Sequence, residues 1–255
     1  MIWEALEAAF LKNGLIVAFC FVGLMVWFSY WLSSTFTRGR IHGSAIAITL
    51  GLGLAYLAGL ETTGKKGVAD FELLAGVGLL GGAMFRDFAI VATAFGANLA
   101  DLKKAGVVGA ISVFLGVVLS FIIGALVAVS FGYHDAVSIT TIGAGAATYI
   151  VGPVTGAALG ATSEVIALSI AAGLVKSVLV MVGTPFIAKH IGLNNPQSAL
   201  IYGGLMGTTS GVAGGLAATD PKLVPYGAMT ATFYTGIGCL LAPSVLYLSV
   251  LAFTG

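Results

Sequence analysis

The chain has 255 residues, of which 58% are hydrophobic and 8% charged, with a formal net charge of +1 and a mean hydropathy of +1.06. Soluble domains carry about 25% charged residues, so the composition excludes a water-soluble fold and specifies an integral membrane protein. The near-zero charge balance leaves no electrostatic footprint for nucleic acid or an acidic macromolecule.

Trp3–Leu11 reads either as a short interfacial helix anchored by Trp3 or as a frayed terminus. Glu4 and Glu7 stand where a cleavable leader would be basic, and the apolar run that follows is too long for a leader core. A membrane span needs about 20 apolar residues. Runs of that kind fall at 14–32, 44–60, 71–96, 106–132, 137–160, 164–188, 197–218 and 225–253, which predicts an all-α polytopic protein of about eight spans. No connection is long enough to hold a soluble domain, so residues 1–255 read as a single transmembrane domain. In the eight-span count Arg38, Arg40, Lys103, Lys104 and Lys222 share the cytoplasmic side, with both termini outside, while Lys65, Lys66 and Lys189 oppose the positive-inside rule. Cys20 and Cys239 lie inside apolar runs without metal-like spacing and read as packing residues.

The run 71–96 contains "GGAMFRDF", which puts adjacent Arg86 and Asp87 at membrane depth. An ionised side chain near the bilayer centre costs at least roughly 2.5–3.5 kcal/mol, so such residues are paired or functional. Arg86 suits bidentate capture of a carboxylate, and Asp87 suits a cation or a bond to a neighbouring helix. "GGAM" at 81–84 recurs as "GGLM" at 203–206, which suggests repeat halves near 71–132 and 197–253.

"IGAGAATYIVGPVTGAALGATSE" (142–164) sets Gly152, Gly156 and Gly160 four residues apart and places Pro153 in mid-run, where it removes a backbone donor and frees a carbonyl. Thr148, Tyr149 and Thr155 add hydroxyls. Freed carbonyls with hydroxyls suit a small cation, and half-helix N-termini suit an anion. Thr148 is a candidate for substrate, and Gly152, Thr155 and Glu164 join Asp87 as candidates for a small cation. Glu164 equally fits a first-turn carboxylate that stabilises its helix. Lys176 lies twelve residues further on, too far along a helix to pair with Glu164, and is a candidate for attracting an anion.

"GGLMGTTSGVAGG" (203–215) combines six glycines with Thr208, Thr209 and Ser210. Gly203, Gly207, Gly211 and Gly215 form a ladder that close helix packing would use. The off-ladder glycines and the hydroxyl triplet point instead to a helix broken to line a ligand site, and the two readings are compatible. Enzymatic chemistry finds little support: His42, His134 and His190 are scattered, and neither an HExxH pattern nor a Gly-x-Ser-x-Gly elbow occurs. The inventory favours transport of a small anion by a non-enzyme without a bound cofactor.

The stretch 143–215, together with "GGAMFRDFAIVATAFGANLADLKKAG", resembles MadM, the larger subunit of the two-subunit malonate:sodium symporter family, over essentially the whole length. The resemblance implies import of malonate with sodium, or with a proton in its place. It also implies a small membrane partner of the MadL kind and a bacterial cytoplasmic (inner) membrane, with a homo-oligomer of the heterodimer left open. The C-terminal half is also similar to the LrgB family, where a "GTASHGIGT"-type run has His at the place of Gly211. That second likeness implies the alternative function, a membrane regulator or pore component that concentrates no solute. Neither resemblance transfers a site residue; the candidates remain Arg86, Thr148, Thr208, Thr209, Ser210 and Lys176 for substrate, and Asp87, Gly152, Thr155 and Glu164 for sodium.

Overall fold

A computed structural model describes residues 2–39, 41–62, 66–80 and 99–254, the side chains of 2–6 and 99–105 apart. The described chain is helical, and it divides into two compact units, residues 1–92 and 93–255.

The first unit holds α1 (Ile2–Lys12), α2 (Gly14–Phe36), α3 (Gly43–Thr62) and the short α4 (Gly76–Leu79). The predicted N-terminal helix is present as α1. The apolar runs 14–32 and 44–60 become α2 and α3, both long and apolar enough to span. Their tight connection is fixed by Ser33, whose hydroxyl donates to Ile41 O at 2.6 Å, and by the Tyr30 ring packed where a Cβ on Gly43 would sit.

The second unit opens with α5 (Leu99–Ser130), in which Gly106 takes φ +67° and breaks the helix before the span proper, Gly106–Ser130. Then follow α6 (Ala136–Ala147), α7 (Val151–Leu159), α8 (Ser163–Ile187), α9 (Pro196–Met206), α10 (Thr209–Ala217), α11 (Val224–Leu241) and, after a π-helical segment at Ala242–Leu246, α12 (Tyr247–Thr254).

Two of the eight runs expected to span fold as pairs of short helices and not as single long ones. The stretch 137–160 is a helical hairpin: Gly152 lies against Gly145, and Gly156 against Thr141, so α7 runs back along α6. Only glycine permits this approach, because a Cβ on Gly152 would meet the Gly145 backbone and the Ser169 side chain. The stretch 197–218 likewise turns back. Gly227 of α11 meets Ala199 of α9 and also Val212 and Leu216 of α10, so both arms return to one end. Arms of 12 and 11 residues reach about 16–18 Å, half the thickness of the hydrocarbon core. Among the described residues five segments are long and apolar enough to span.

The hairpins enter from opposite ends. Ala128, Tyr133, Ile142, Ala161 and Val165 form one cluster, gathering the end of α5, the base of the first hairpin and the start of α8. Ala188, Leu193, Ala199, Leu216 and Leu223 form another, gathering the end of α8, the base of the second hairpin and the start of α11. The same end therefore carries Lys189 and Lys222, which the eight-span count had separated.

Sequence accounts for this symmetry. Asp135 caps α6 through the Ser138 amide at 2.8 Å, and Asn195 caps α9 through the Ser198 amide at 3.0 Å. Partial burial raises the Asp135 pKa, but the Ser138 amide and hydroxyl, with the Asp135 and Val137 amides, outweigh it and hold the carboxyl below its ordinary value. Asp135 and Asn195, Ser138 and Ser198, Gly143 and Gly203, and Thr148 and Thr208 all stand at one common spacing. The repeat proposed from "GGAM" and "GGLM" involves residues 81–98, which lie outside the described residues.

Candidate functional site

Both hairpin tips converge on the middle of α8. Thr148 is extended (φ −152°, ψ 154°) and ends α6; its hydroxyl then accepts from the Ile150 and Val151 amides, each at 3.2 Å, and so starts α7. Pro153 falls in the first turn of α7, where the missing N–H breaks no helical bond. In the second hairpin Gly207 ends α9 with φ +70°, and the Thr208 hydroxyl accepts from the Gly211 amide at 3.4 Å to start α10. A side chain at Gly207 is excluded twice, by that left-handed backbone and by the Tyr234 ring.

On α8, Gly173 lies under the backbone of Tyr149, and Ser177 lies against the second tip, its Oγ 2.7 Å from Thr208 Oγ1 and 2.8 Å from Ser210 Oγ. Gly173 and Ser177 are one helical turn apart and flank the midpoint of the 25-residue α8. Tyr149 OH stands 3.4 Å from Ser210 Oγ, joining the two tips directly. The crossing therefore sits at the centre of the span. The N-termini of α7 and α10 begin there, so the positive ends of both helices face the crossing. In α7 the Val151 and Gly152 amides already bond Thr148 O and Pro153 has none, so that end contributes its dipole and not free amides. Thr209 Oγ1 is buried at the crossing without a hydrogen-bond partner. Such a group costs roughly 1–3 kcal/mol, a cost that a bound anion or its water would relieve.

Beside the crossing, Lys176 Nζ donates to Ser120 Oγ of α5 at 2.9 Å, to Ala147 O at the end of α6 at 2.9 Å, and to Tyr234 OH of α11 at 3.2 Å. It also lies 5.0 Å from the Tyr234 ring centre, and Tyr234 OH donates to Gly116 O at 3.0 Å. All three N–H donors of the ammonium are engaged by neutral oxygens.

Thr208, Thr209, Ser210, Thr148 and Lys176 thus lie at or beside the two tips. Thr148 is committed to capping, and Lys176 has no donor to spare. Gly152 faces the hairpin's own packing. Thr155 is fully buried in α7, and its hydroxyl has no partner. Glu164 stands exposed in the first turn of α8, about 14 Å along the helix from Gly173, where a carboxylate offsets the helix dipole. Arg86 and Asp87 lie outside the described residues. Sequence reasoning missed Ser177, Ser120 and Tyr234; the small residues Gly173 and Ser177 at four-residue spacing, flanking Lys176, were the signal available. Among the described residues no group of three or more metal-ligating side chains occurs.

A family model described as the malonate/sodium symporter MadM subunit matches residues 6–254. No curated protein and no solved structure matches the chain. The chain belongs to the malonate/sodium symporter MadM subunit family, as a multi-pass membrane protein.

Proposed function

We propose that this subunit holds malonate between the two hairpin tips and carries it across a membrane together with sodium. The observation that carries the reading is the convergence of two half-helix N-termini, α7 and α10, on one mid-span point that also holds the orphaned Thr209 hydroxyl. Malonate presents two carboxylates one methylene apart, and two positive helix ends from opposite sides match that shape. Tyr149, Thr209 and Ser210 supply the hydroxyl donors, and Arg86 remains a candidate for a further carboxylate clamp. Lys176 contributes charge at short range and not a free N–H. For the sodium ion the Thr155 hydroxyl, buried without a hydrogen-bond partner, is the candidate among the described residues. Family membership supports both the substrate and the ion. It also supports assembly with a partner subunit, proposed to be of the small MadL kind, in the bacterial inner membrane.

Orientation follows from charge. Lys103 and Lys104 begin α5 at the end that also holds Lys189 and Lys222, whereas the opposite end carries His134, Asp135 and Glu164. The positive-inside rule makes the lysine end cytoplasmic. Asn194→Cys should then react with an impermeant thiol reagent only in inside-out vesicles, and His134→Cys only in right-side-out ones; the reverse pattern inverts the assignment.

The test of function is labelled-malonate uptake into proteoliposomes holding this chain with its small partner. Accumulation should follow an imposed inward sodium gradient and stop when that gradient is collapsed. Accumulation driven by protons alone would discard sodium. No accumulation with folded, inserted subunits would favour a regulator or pore.

A further inference from the structure

The two hairpins match in fold, yet their tips are held by different chemistry. At the first tip an ammonium closes the gap: Lys176 binds the last carbonyl of α6, Ala147 O, while its other two N–H groups reach Ser120 on α5 and Tyr234 on α11. Tyr234 extends the chain of bonds to Gly116 O, back on α5. The hydrogen bonds described between the second tip and α8 join neutral hydroxyls, Ser177 with Thr208 and with Ser210. The position equivalent to Lys176 at the repeat spacing is Gly236, which brings no side chain.

Physics makes this difference large. A charge-assisted hydrogen bond is roughly twice as strong as a neutral one. The α6 C-terminus is also the negative end of its dipole, so a cation there is favoured again. Ser120 and Lys176 both lie within a turn or so of the middle of their 25-residue spans, where water does not compete for the ammonium. Breaking the bond to Ala147 would leave a buried cation short of an acceptor and a helix end unsatisfied at once.

We propose that Lys176 is a positioning residue: with Ser120 and Tyr234 it latches the first hairpin tip to three spans, so that the second hairpin is the one that moves. The proposal rests on the carrier reading above for its consequence in transport, but the latch itself is measurable without substrate. The prediction for function is a one-sided cycle, in which the hairpin based at the lysine-rich end opens and its counterpart forms a fixed wall.

Amide hydrogen exchange on the purified complex in lipid nanodiscs tests it, by comparing the Thr148–Gly152 tip with the Gly207–Val212 tip. The first tip should exchange slower than the second by roughly tenfold or more. Lys176→Gln should erase that difference by speeding the first tip alone, and Lys176→Arg, which keeps charge and donors, should retain most of it. In Lys176→Ala, added n-propylammonium should slow the first tip again, whereas n-propyl-trimethylammonium, equally charged but without N–H, should not. Malonate with sodium should change exchange at the second tip only. Equal exchange at the two tips of the unaltered chain overturns the latch, as does a Lys176→Gln protein whose first tip is unchanged. If Lys176→Gln frees the first tip while malonate alters neither, the latch stands and the malonate reading falls.

Discussion

If malonate is the substrate, Gly173→Ala should lower its uptake by roughly a hundredfold while the protein still inserts, and Gly183→Ala on the same helix should leave it intact. A Cβ at Gly173 would run into the Tyr149 backbone and the Gly145 carbonyl, whereas at Gly183 it would meet nothing within 4 Å. Both substitutions favour helix by the same amount, about 1 kcal/mol, so propensity cancels between them and only the position of the first tip differs. The collision involves backbone on both sides and cannot be relieved by turning a side chain. The tip must move away from α8, taking Tyr149 from Ser210 and parting the two helix N-termini. Misplacement of a binding group by about 1 Å can cost roughly a hundredfold, and that loss is expected in uptake rate with surface expression unchanged. Similar uptake by the two variants would remove the first tip from the site.

On the same reading Ser177→Ala should raise the malonate KM by roughly tenfold to a hundredfold, and Ser249→Ala should change it less than about twofold. Ser177 is fully buried and is the one side chain that touches both Thr208 and Ser210. Its loss leaves two hydroxyls without that partner, at roughly 1–3 kcal/mol for each group left unsatisfied, and a tenfold change corresponds to about 1.4 kcal/mol. Ser249 is exposed on α12 and bonds only its own helix, at Val245 O. Uptake kinetics at varied malonate and saturating sodium separate KM from maximal rate. An unchanged KM for Ser177→Ala would place the anion elsewhere.

Much of this architecture could be read from the chain. The hydrophobic runs predict an all-helical membrane protein because backbone groups in lipid must be satisfied within each segment. The glycine-rich runs 142–164 and 203–215 also announce broken helices correctly. What the runs cannot announce is direction. A 24-residue apolar stretch that folds back at Thr148 has the same composition as one that continues, and the difference lies in which glycines meet which backbone. Gly152 against Gly145 decides it, and that is a tertiary contact. The repeat was also legible, but in different residues from those compared: Asp135 and Asn195, each with a serine three residues later, and Thr148 and Thr208 are capping residues with the same task in each hairpin.

The site was only half legible for a related reason. Thr208, Thr209 and Ser210 stand out because three hydroxyls in an apolar run need partners. Ser177 and Tyr234 do not stand out, since one serine or tyrosine per span is ordinary, and they matter only because α8 and α11 bring them to the tips. Lys176 was conspicuous by its cost at membrane depth, yet its partners are neutral oxygens on three other elements, which no spacing rule selects. The ladder Gly203, Gly207, Gly211 and Gly215 serves two neighbours: Gly203 meets α11, and Gly211 and Gly215 meet α8. Both the packing and the broken-helix readings of that ladder hold, because the break at Gly207 redirects it.

The central claim is that malonate sits where the second tip meets the middle of α8. Solid-state NMR of the unaltered complex in lipid, with carboxyl-13C malonate and 15N-labelled backbone, measures this directly, because Ser177 and Ser210 stay in place. With sodium present, the malonate carboxylate carbon should lie about 4 Å from the Thr209 or Ser210 amide nitrogen, the separation of a hydrogen-bonded pair, and acetate should show no such contact. Contact between malonate and amides elsewhere, with none at Thr209 or Ser210, would contradict the account.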